Sequence, residues 1–499
     1  MSIDEQTIYI EALALGMERG FHMLFAELHS EKSSSIEAYR TCGFLYWNRR
    51  FLLAYENMLR SLGARYACVT IPYWDYFADY AKFIGNKCDS FQSCSTILAG
   101  IGGSKGVPKS VTINGRTFTD NCVTQFPFSS FCESSSIIDK SLCAGCVPRA
   151  ELTSKPFPSG LGYAGLGVML GKAKGLRDFN NNILFGVHNS IHSALGSTMA
   201  SIVAPADPLF FSHHATIDML HQMYLECQVG DSYLSDTSLG VQRFVFQKCS
   251  IAGETCPDTS SPVTQLWATA AAPADTIPAE VHSSLKQFFS NLPTKYSNWA
   301  STSALGVNSY DYERDDLLTN LQKYGFVCPS QAFTVQSILT STRSEKSAEA
   351  TPNEKRALQF IDFGRQPIVA TPKSPPPPNP PAMADGFGTI SGPLPSLPVD
   401  PDRDFIQALS IDFLDSALLA ARAIDGTLET AFLQVELMEC AFYDRFFRVD
   451  DLTKEFRDSF GLGDDTHTRC TTLKTQLANG EAAILVDDWI SYFQQLVRG

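Results

Sequence analysis

Four of the chain's nine histidines are close together in sequence, and they are the residues best suited to hold a metal ion. His188 and His192 are four positions apart in HNSIH, and His213 and His214 follow in the run SHH. On a helix, side chains four positions apart lie on the same face, so the first two imidazoles can reach one ion. Neighbouring helical residues point about 100° apart. We therefore predict that only one of the second pair binds that ion and that the other supports it from outside.

The ligand types indicate which metal such a site would take. Three neutral imidazoles without a cysteine or a carboxylate suit copper or zinc and do not favour calcium or magnesium. The alternative is that HNSIH is a chance pattern on a helix surface and that the histidine pair lies in the core. Asp207 and Pro208 weigh against this alternative because they are typical of a helix start, where a carboxylate caps free amides and proline needs no donor.

Several segments resemble one family of copper proteins. HNSIHSALGSTM and PADPLFFSHHATID resemble the second-copper motif of tyrosinases, catechol oxidases and molluscan haemocyanins. FLYWNRRFLLAYENMLR resembles the helix of the first-copper motif, and IPYWDY resembles the short segment after it. The resemblance covers roughly residues 10–227, and the wider layout, which includes ELHSEKSSSIEAYRTCGF, is similar to tyrosinase-like proteins of oomycetes. It implies a copper oxidoreductase of the monophenol and o-diphenol oxidase class, with a small phenol and O2 as reaction partners.

The resemblance assigns roles around the second-copper motif. It places the copper ligands on His188, His192 and His214, with His213 as a supporting residue outside the ligand set. Asp218 matches the aspartate that anchors this helix in the family. The second-copper motif is therefore complete in its ligands.

Two further positions are candidate catalytic residues through the same resemblance. Asn189 matches an asparagine that in tyrosinases helps to hold a water able to deprotonate a phenol. Ser201 falls near the position where catechol oxidases place a bulky gate, and its small side chain implies an open approach to the metal. The acidic partner expected near the asparagine is not obvious, since Leu184 and Phe185 occupy that region and Asp178 lies two turns or more away.

The first-copper motif departs from the family pattern. His29 in LFAELH matches the first ligand, but the second falls on Tyr39 and the third on Asn48. A tyrosine must lose its proton to bind copper well, and its ordinary pKa is about 10. An asparagine oxygen is a hard, weak donor that suits a cuprous ion badly. His22 lies seven residues before His29, about 10 Å along a helix, and cannot share its ion. We expect one bound copper, or two if the first site survives.

Two functional hypotheses follow. In the first, the chain is a phenol or catechol oxidase that tolerates the two replaced ligands. In the second, it is an inactive or mononuclear-metal member of the family that acts as a secreted structural or interaction protein. A third idea is thiol redox chemistry at Cys143 and Cys146, but nothing thioredoxin-like surrounds them, so we interpret them as part of a disulfide staple.

The elements that must position these residues are mostly helices. Apolar spacing typical of helices recurs in 3–29, 44–62, 176–196, 208–227 and twice after residue 403. The predicted fold is mainly α, with a four-helix-bundle core that presents the histidines inward. A hairpin is predicted at Asn114-Gly115, which favours a tight turn, and a short β-like stretch at 483–486.

The predicted organisation has three parts. Residues 1–340 form a tyrosinase-like copper-binding domain with a cysteine-rich insert at 86–160. Prolines make 371–402 an extended linker. Residues 403–499 form a helical C-terminal region, which by analogy with latent family members packs over the copper pocket as a shield.

Composition narrows the partners and the compartment. The net charge of −14 and the pI near 5.1 argue against nucleic acid or an anionic membrane as partner. No apolar run reaches the roughly 20 residues of a membrane span. Six of the 14 cysteines fall in 88–146, which indicates disulfides and an oxidising compartment. Since residues 1–5 do not look like a signal peptide, we expect a processed or truncated secreted protein. The sequence leaves the oligomeric state open.

Overall fold

The computed structural model describes residues 2–230, 245–246, 257–268, 275–314 and 403–498, which are mainly α-helical as predicted. The α-helices are α1 (Ile3–Glu18), α2 (Phe21–Ser30), α3 (Lys32–Tyr39), α4 (Phe44–Arg60), α5 (Tyr76–Ile84), α6 (Phe91–Cys94), α7 (Thr96–Gly100), α8 (Tyr163–Lys172), α9 (Leu176–Ile183), α10 (Asn189–Leu195), α11 (Leu209–Gln228), α12 (Lys286–Phe289), α13 (Arg403–Asp425), α14 (Leu428–Phe446), α15 (Lys454–Phe460), α16 (Arg469–Asn479) and α17 (Ile490–Arg498). The strands are β1 (Val107–Ile113), β2 (Arg116–Val123), β3 (Val147–Arg149), β4 (Leu266–Ala268) and β5 (Thr276–Pro278).

The first predicted helix is in fact two helices. A capping box between Ser2 and Glu5 starts α1, in which each side chain binds the other residue's backbone amide. Gly20 then adopts a φ of 76°, a left-handed conformation that ends one helix and lets the next leave at a new angle. As a result α2 can lie across α1 and carry its histidines into the core.

The centre of the molecule is formed by α2, α4, α10 and α11. Aromatic side chains fill the space between them: Tyr55 of α4 stacks on Phe211 of α11 with ring centroids 3.4 Å apart. Phe44 at the start of α4 contacts the rings of His188 and His214 at 4.9 and 6.3 Å. The apolar faces of these helices therefore meet where the histidines converge.

The cysteine-rich insert is a small disulfide-bonded sheet, as predicted. β1 and β2 pair antiparallel through a turn at Asn114 and Gly115, whose φ values are 45° and 79°. β3 adds antiparallel to β2. The disulfides are Cys88–Cys94, Cys122–Cys146 and Cys132–Cys143. Because Cys143 and Cys146 pair with other partners and not with each other, the thiol redox hypothesis is not supported.

The C-terminal helices pack back on the core. α13 contacts α5, α14 contacts α8, and the Cys440–Cys470 disulfide joins α14 to α16. The β-like stretch predicted at 483–486 is not a strand. The side chain of Gln434 donates to the carbonyl of Ala483 and accepts from the amide of Leu485, so these backbone groups need no strand partner.

Some predictions lie outside the described residues. These are the proline-rich linker at 371–402 and the boundary at residue 340. Among the helices that the structure describes, none combines the length and apolarity needed to cross a bilayer.

Candidate metal centre

The segment before the first two histidines is not the continuous helix that the sequence predicts. α9 runs into a π-helical turn, Leu184–His188, and Gly186 within it has a ψ of −115°, which is not helical. α10 begins directly after this turn. Such local widening of a helix is common at functional sites. It places His188 and His192 one turn apart, with ring centroids 4.5 Å from each other.

The second pair of histidines is positioned by the start of α11. Asp207 accepts a hydrogen bond from the amide of Leu209, the first residue of α11, at 3.0 Å. The N-cap itself is Pro208, one position later than predicted. Both oxygens of the same carboxylate bind the buried guanidinium of Arg149, at 2.6 and 2.7 Å. This ion pair ties the helix start to the insert and fixes the direction in which His213 and His214 enter the core.

All four histidines form one buried cluster. One ring nitrogen from each of His188, His192, His213 and His214 lies within 4.8 Å of the corresponding nitrogen of every other member. The Nε2 atoms of His192 and His214 are 3.3 Å apart. The sequence predicted that one of the adjacent pair would stand apart. A separation of about 100° leaves both side chains on the same half of the helix, so both reach the cluster.

Hydrogen bonds at Nδ1 orient two of these rings. The Nδ1 of His188 pairs with the amide oxygen of Asn189 at 2.8 Å, and that of His192 pairs with the carbonyl of Met199 at 2.7 Å. These contacts leave Nε2 of each ring directed at the cluster, an arrangement typical of metal-binding histidines. The Nδ1 of His29 pairs in the same way with the carbonyl of Ile202 at 2.8 Å.

Burial keeps the clustered imidazoles neutral. It lowers the pKa of His29 and of His188 to about 4. Burial, and then the neighbouring histidines, lower the pKa values of His192, His213 and His214 well below the ordinary range. A neutral imidazole offers a lone pair, and metal binding requires that form. The cluster is therefore ready to bind a cation at neutral pH.

The positions that match the first-copper motif are arranged differently. His29 lies among the rings of Trp47, Phe51 and Phe210, with centroid distances of 5.7, 5.9 and 5.1 Å. Tyr39 packs edge-on against Phe460 of the C-terminal region at 4.8 Å. Neither His29 nor Tyr39 belongs to the four-histidine cluster.

Asn48 is held by its own neighbours. Its Nδ2 donates to the carbonyls of Ala38 and Phe44, both at 2.9 Å, and its buried Oδ1 has no hydrogen-bond partner. His22 is a core residue. Its ring nitrogens pair with the hydroxyl of Tyr55 and the carbonyl of Ala206.

The comparisons with known proteins agree with this site. Residues 19–226 match the family described as the common central domain of tyrosinase. Residues 19–226 therefore carry a tyrosinase domain. This domain runs from the end of α1 into the last turn of α11 and so contains every histidine described above.

Individual relatives give the extent of the likeness. A tyrosinase of Streptomyces antibioticus is 28% identical over 241 residues, which are 44% of this chain and 78% of that protein. A tyrosinase of Streptomyces galbus is 30% identical over 186 residues, 34% of this chain and 58% of that protein. Among solved structures, a polyphenol oxidase variant from Thermothelomyces thermophila aligns with 63% of this chain and 87% of its own, at a TM-score of 0.37 and 15% identity.

The donor set of the tyrosinase domain fits the copper that the family implies. Four unprotonated imidazoles with no carboxylate among them are ligands that copper accepts readily. In addition, the Nδ1 of His214 is buried without a hydrogen-bond partner. Unpaired buried polar atoms are uncommon in proteins, and a bound cation is a common reason for them.

Within the tyrosinase domain, Asp218 anchors α11 to α4. Its carboxylate binds the Nε of Arg49 at 2.6 Å and accepts hydrogen bonds from the hydroxyls of Tyr310 and Tyr312. His221 lies 3.3 Å from the same guanidinium. Sequence reasoning found Asp218 but missed both tyrosines, because they follow some ninety positions later with no recognisable spacing.

The approach to the tyrosinase site is covered by the C-terminal region. Phe456 and Phe460 of α15 lie against the ring of His192, with centroids 6.4 and 6.3 Å away. Ser201, where an open approach was expected, is fully buried, and its hydroxyl donates to the carbonyl of Thr198. Neither phenylalanine carries a signal in the sequence, since both lie far from the copper motifs.

Proposed function

We propose that this chain is a copper protein of the phenol and catechol oxidase class in which one copper position is complete and the other is impaired. His188, His192 and His214 hold copper at the second position. The observation that carries the proposal is the contrast between the two positions. Four imidazoles converge on the second, whereas His29 is the one histidine matched to the first.

The contacts of the two replaced ligands support this reading. Asn48 uses its amide nitrogen to bind two carbonyls, so only its oxygen, a hard and weak donor for cuprous copper, remains. Tyr39 would have to leave its edge contact with Phe460 and lose a proton in order to bind. A lone imidazole at His29 does not replace the three ligands that the family uses.

The chain's own residues set what the site can do. Copper, when bound, supplies one-electron redox and Lewis-acid chemistry. The carbonyl of Met199 and the amide of Asn189 fix the imidazole orientations through Nδ1. The amide oxygen of Asn189 is hydrogen-bonded to His188. This favours an orienting role for Asn189 over the activation of a water. Phe456 and Phe460 exclude water from the side of His192.

A second candidate is a mononuclear or inactive family member with a structural or binding role. The replaced ligands Tyr39 and Asn48 favour it, since reduction of O2 to peroxide takes two electrons and a single cuprous ion supplies one. The phenylalanines that cover the site also favour it, because they limit access to the metal position. The substrate of the first candidate would be a small phenol with O2. The disulfides, including Cys440–Cys470, support a secreted location for either.

Copper stoichiometry tests the proposal directly. Purified full-length protein, reconstituted with cuprous copper and freed of excess metal, should retain closer to one copper than two per chain. A His214→Ala variant should lose it, whereas His282→Gln, at a histidine outside the cluster, should not. Two retained coppers, one of them lost in a His29→Ala variant, would contradict the impaired first position.

A further inference from the structure

The C-terminal helices meet the core at a buried carboxylate that has no role in the metal centre. Glu439 of α14 is 9% exposed and lies over the backbone of Gly162, directly before α8. Both residues line a cavity of about 20 Å³, together with Tyr80 of α5, Tyr163 of α8 and Ser410 of α13. The other side chains around it, including those of α17, are apolar. Among the described residues, Glu439 is therefore the one carboxylate where α14 meets these four helices.

The groups around this cavity suit a carboxyl that keeps its proton. The hydroxyls of Tyr80 and Ser410 are buried and, within the part of the chain that the structure describes, have no hydrogen-bond partner. A cavity of this size can hold one water, which forms about three hydrogen bonds. A protonated carboxyl can both donate and accept, and so can complete such a network. The described lining includes no Lys, Arg or His that would balance an ionised carboxylate.

The surroundings of Glu439 move its ionisation close to neutral pH. Burial, and then the charge of Glu436 one turn earlier on α14, raise the pKa of Glu439 to about 8. Glu436 is itself paired with Arg469 of α16, at 2.8 and 2.7 Å. Burial also raises the pKa values of Tyr80 and Tyr443, whose ring centroids are 6.3 Å apart, so both phenols stay neutral. The carboxyl of Glu439 is therefore the group in this contact that changes charge near pH 8.

The same part of α14 is joined covalently to the segment that covers the histidine cluster. Cys440, next to Glu439, forms a disulfide with Cys470 of α16, which closes a loop that contains all of α15. Two phenylalanines of α15 lie against the ring of His192. A movement of α14 away from the core therefore acts on the helix that covers the cluster.

We propose that the neutral carboxyl of Glu439 is a latch between α14 and the core, and that its ionisation lets α15 leave the histidine cluster. In the closed form the cluster is covered, and in the open form small molecules can reach it. The inference goes beyond the proposed function because it concerns access to the cluster, and it needs no bound copper.

Proton release gives the latch a defined pH dependence. The closed form keeps the proton up to about pH 8, whereas an open form, with the carboxyl in water, loses it above the ordinary pKa of about 4.3. Opening therefore releases one proton to the solvent between these two values. The equilibrium constant for opening should rise about tenfold for each pH unit in this range and level off above it.

Hydrogen exchange on the copper-free, full-length protein is the first test. After correction for the intrinsic exchange rate, the protection of α14 and α15 amides should fall about tenfold per pH unit from about pH 5.5 to 7.5. The buried amides of α4 should stay better protected at each pH, because the latch opens without global unfolding. Equal protection of α4 and α15 at every pH, or protection of α15 that does not change with pH, would overturn the inference.

Glu439→Gln separates this carboxyl from other causes of pH dependence. Glutamine matches the neutral carboxyl in size and cannot ionise, so the protection of α15 should become independent of pH. Glu481→Gln, at an exposed glutamate, is the matched control and should keep the wild-type slope. A wild-type slope in folded Glu439→Gln protein would show that another group sets the opening and would refute the latch.

Copper extraction tests whether the latch controls access to the metal position. In copper-loaded wild type, removal by a chelator should speed up about tenfold from about pH 6 to 7, relative to Glu439→Gln. The same change of rate in both proteins would show that the latch does not open the cluster, which contradicts the inference. A protein that retains no copper would count against the proposed function instead, and the exchange experiment would still decide on the latch.

Discussion

At the scale of single residues, two side chains distinguish the first-copper position from the family pattern. The Asn48 amide is already committed to the carbonyls of Ala38 and Phe44, and its buried oxygen is unpaired. Tyr39 is turned to the C-terminal region. Both residues occupy ligand positions of the first-copper motif, yet the contacts that they make are with other parts of the polypeptide.

Restoring histidine at both positions should restore the second copper. The double variant Tyr39→His with Asn48→His should retain about two coppers per chain, because three imidazoles at one site suit copper. Metal analysis measures this, and a loss of the cupric spin-resonance signal on oxidation would report coupling of the two ions. Adding His29→Ala to the double variant is the control and should return the count to one. A double variant that still holds one copper would show that ligand loss is not the cause.

At the scale of elements, α15 is the helix that covers the histidine cluster on the side of His192. The amide of Thr453, just before this helix, donates to the hydroxyl of Ser193 on α10 at 2.8 Å. Phe456 and Phe460 then follow on the face of α15 that meets His192. These contacts hold a C-terminal helix on the helix that carries His192.

Shortening one of these rings should make the metal easier to extract. Phe460→Ala should speed removal of copper by a chelator at least about 10-fold, since truncating a buried phenylalanine costs about 3–5 kcal/mol and each 1.4 kcal/mol is a factor of ten. The rate is followed by absorbance of the chelator complex. Phe446→Ala, at a ring that is 53% exposed, is the matched control and should leave the rate unchanged. Equal rates in both variants would show that α15 does not limit access.

At the scale of the whole molecule, the C-terminal helices meet the core around a buried acid. Glu439 of α14 lies over Gly162, where a Cβ would fall 2.1 Å from the carboxylate, so a larger residue there would have to displace the Glu439 side chain. Burial, and then the charge of Glu436, raise the pKa of Glu439 to about 8. Tyr80 of α5 and Tyr443 of α14 face the same region, and Glu436 is itself paired with Arg469.

This raised pKa predicts that stability falls as the pH rises. Between the ordinary carboxyl value of about 4.3 and about 8, folded Glu439 keeps its proton and the unfolded chain loses it. The free energy of unfolding should therefore fall by up to about 1.4 kcal/mol per pH unit in this range. Glu439→Gln should flatten the dependence in thermal unfolding from pH 5 to 8, whereas Glu481→Gln, at an exposed glutamate, should not. An unchanged slope in Glu439→Gln would rule out this carboxyl as the cause.

Much of the fold and part of the site could be predicted from sequence. Helical periodicity, the Asn114-Gly115 turn and the clustered cysteines are local signals, and the structure confirms the elements they predict. Breaks within helices were missed, as at Gly20 and Gly186, because a periodic pattern continues across them. The stretch at 483–486 was predicted as β-like from its side chains, but a strand needs a partner strand. Here the side chain of Gln434, and not a second strand, forms hydrogen bonds with the backbone of this stretch.

The sequence by itself determined which histidines share a helix face and which family's motifs they resemble, since residue type and spacing along a helix are local properties. Only the tertiary structure decided that His213 joins the cluster, that Tyr39 meets Phe460 and that Tyr310 and Tyr312 bind Asp218. These contacts join positions far apart in the chain or depend on the rotation of a whole helix. No spacing rule encodes them, because they arise from the packing of several elements at once.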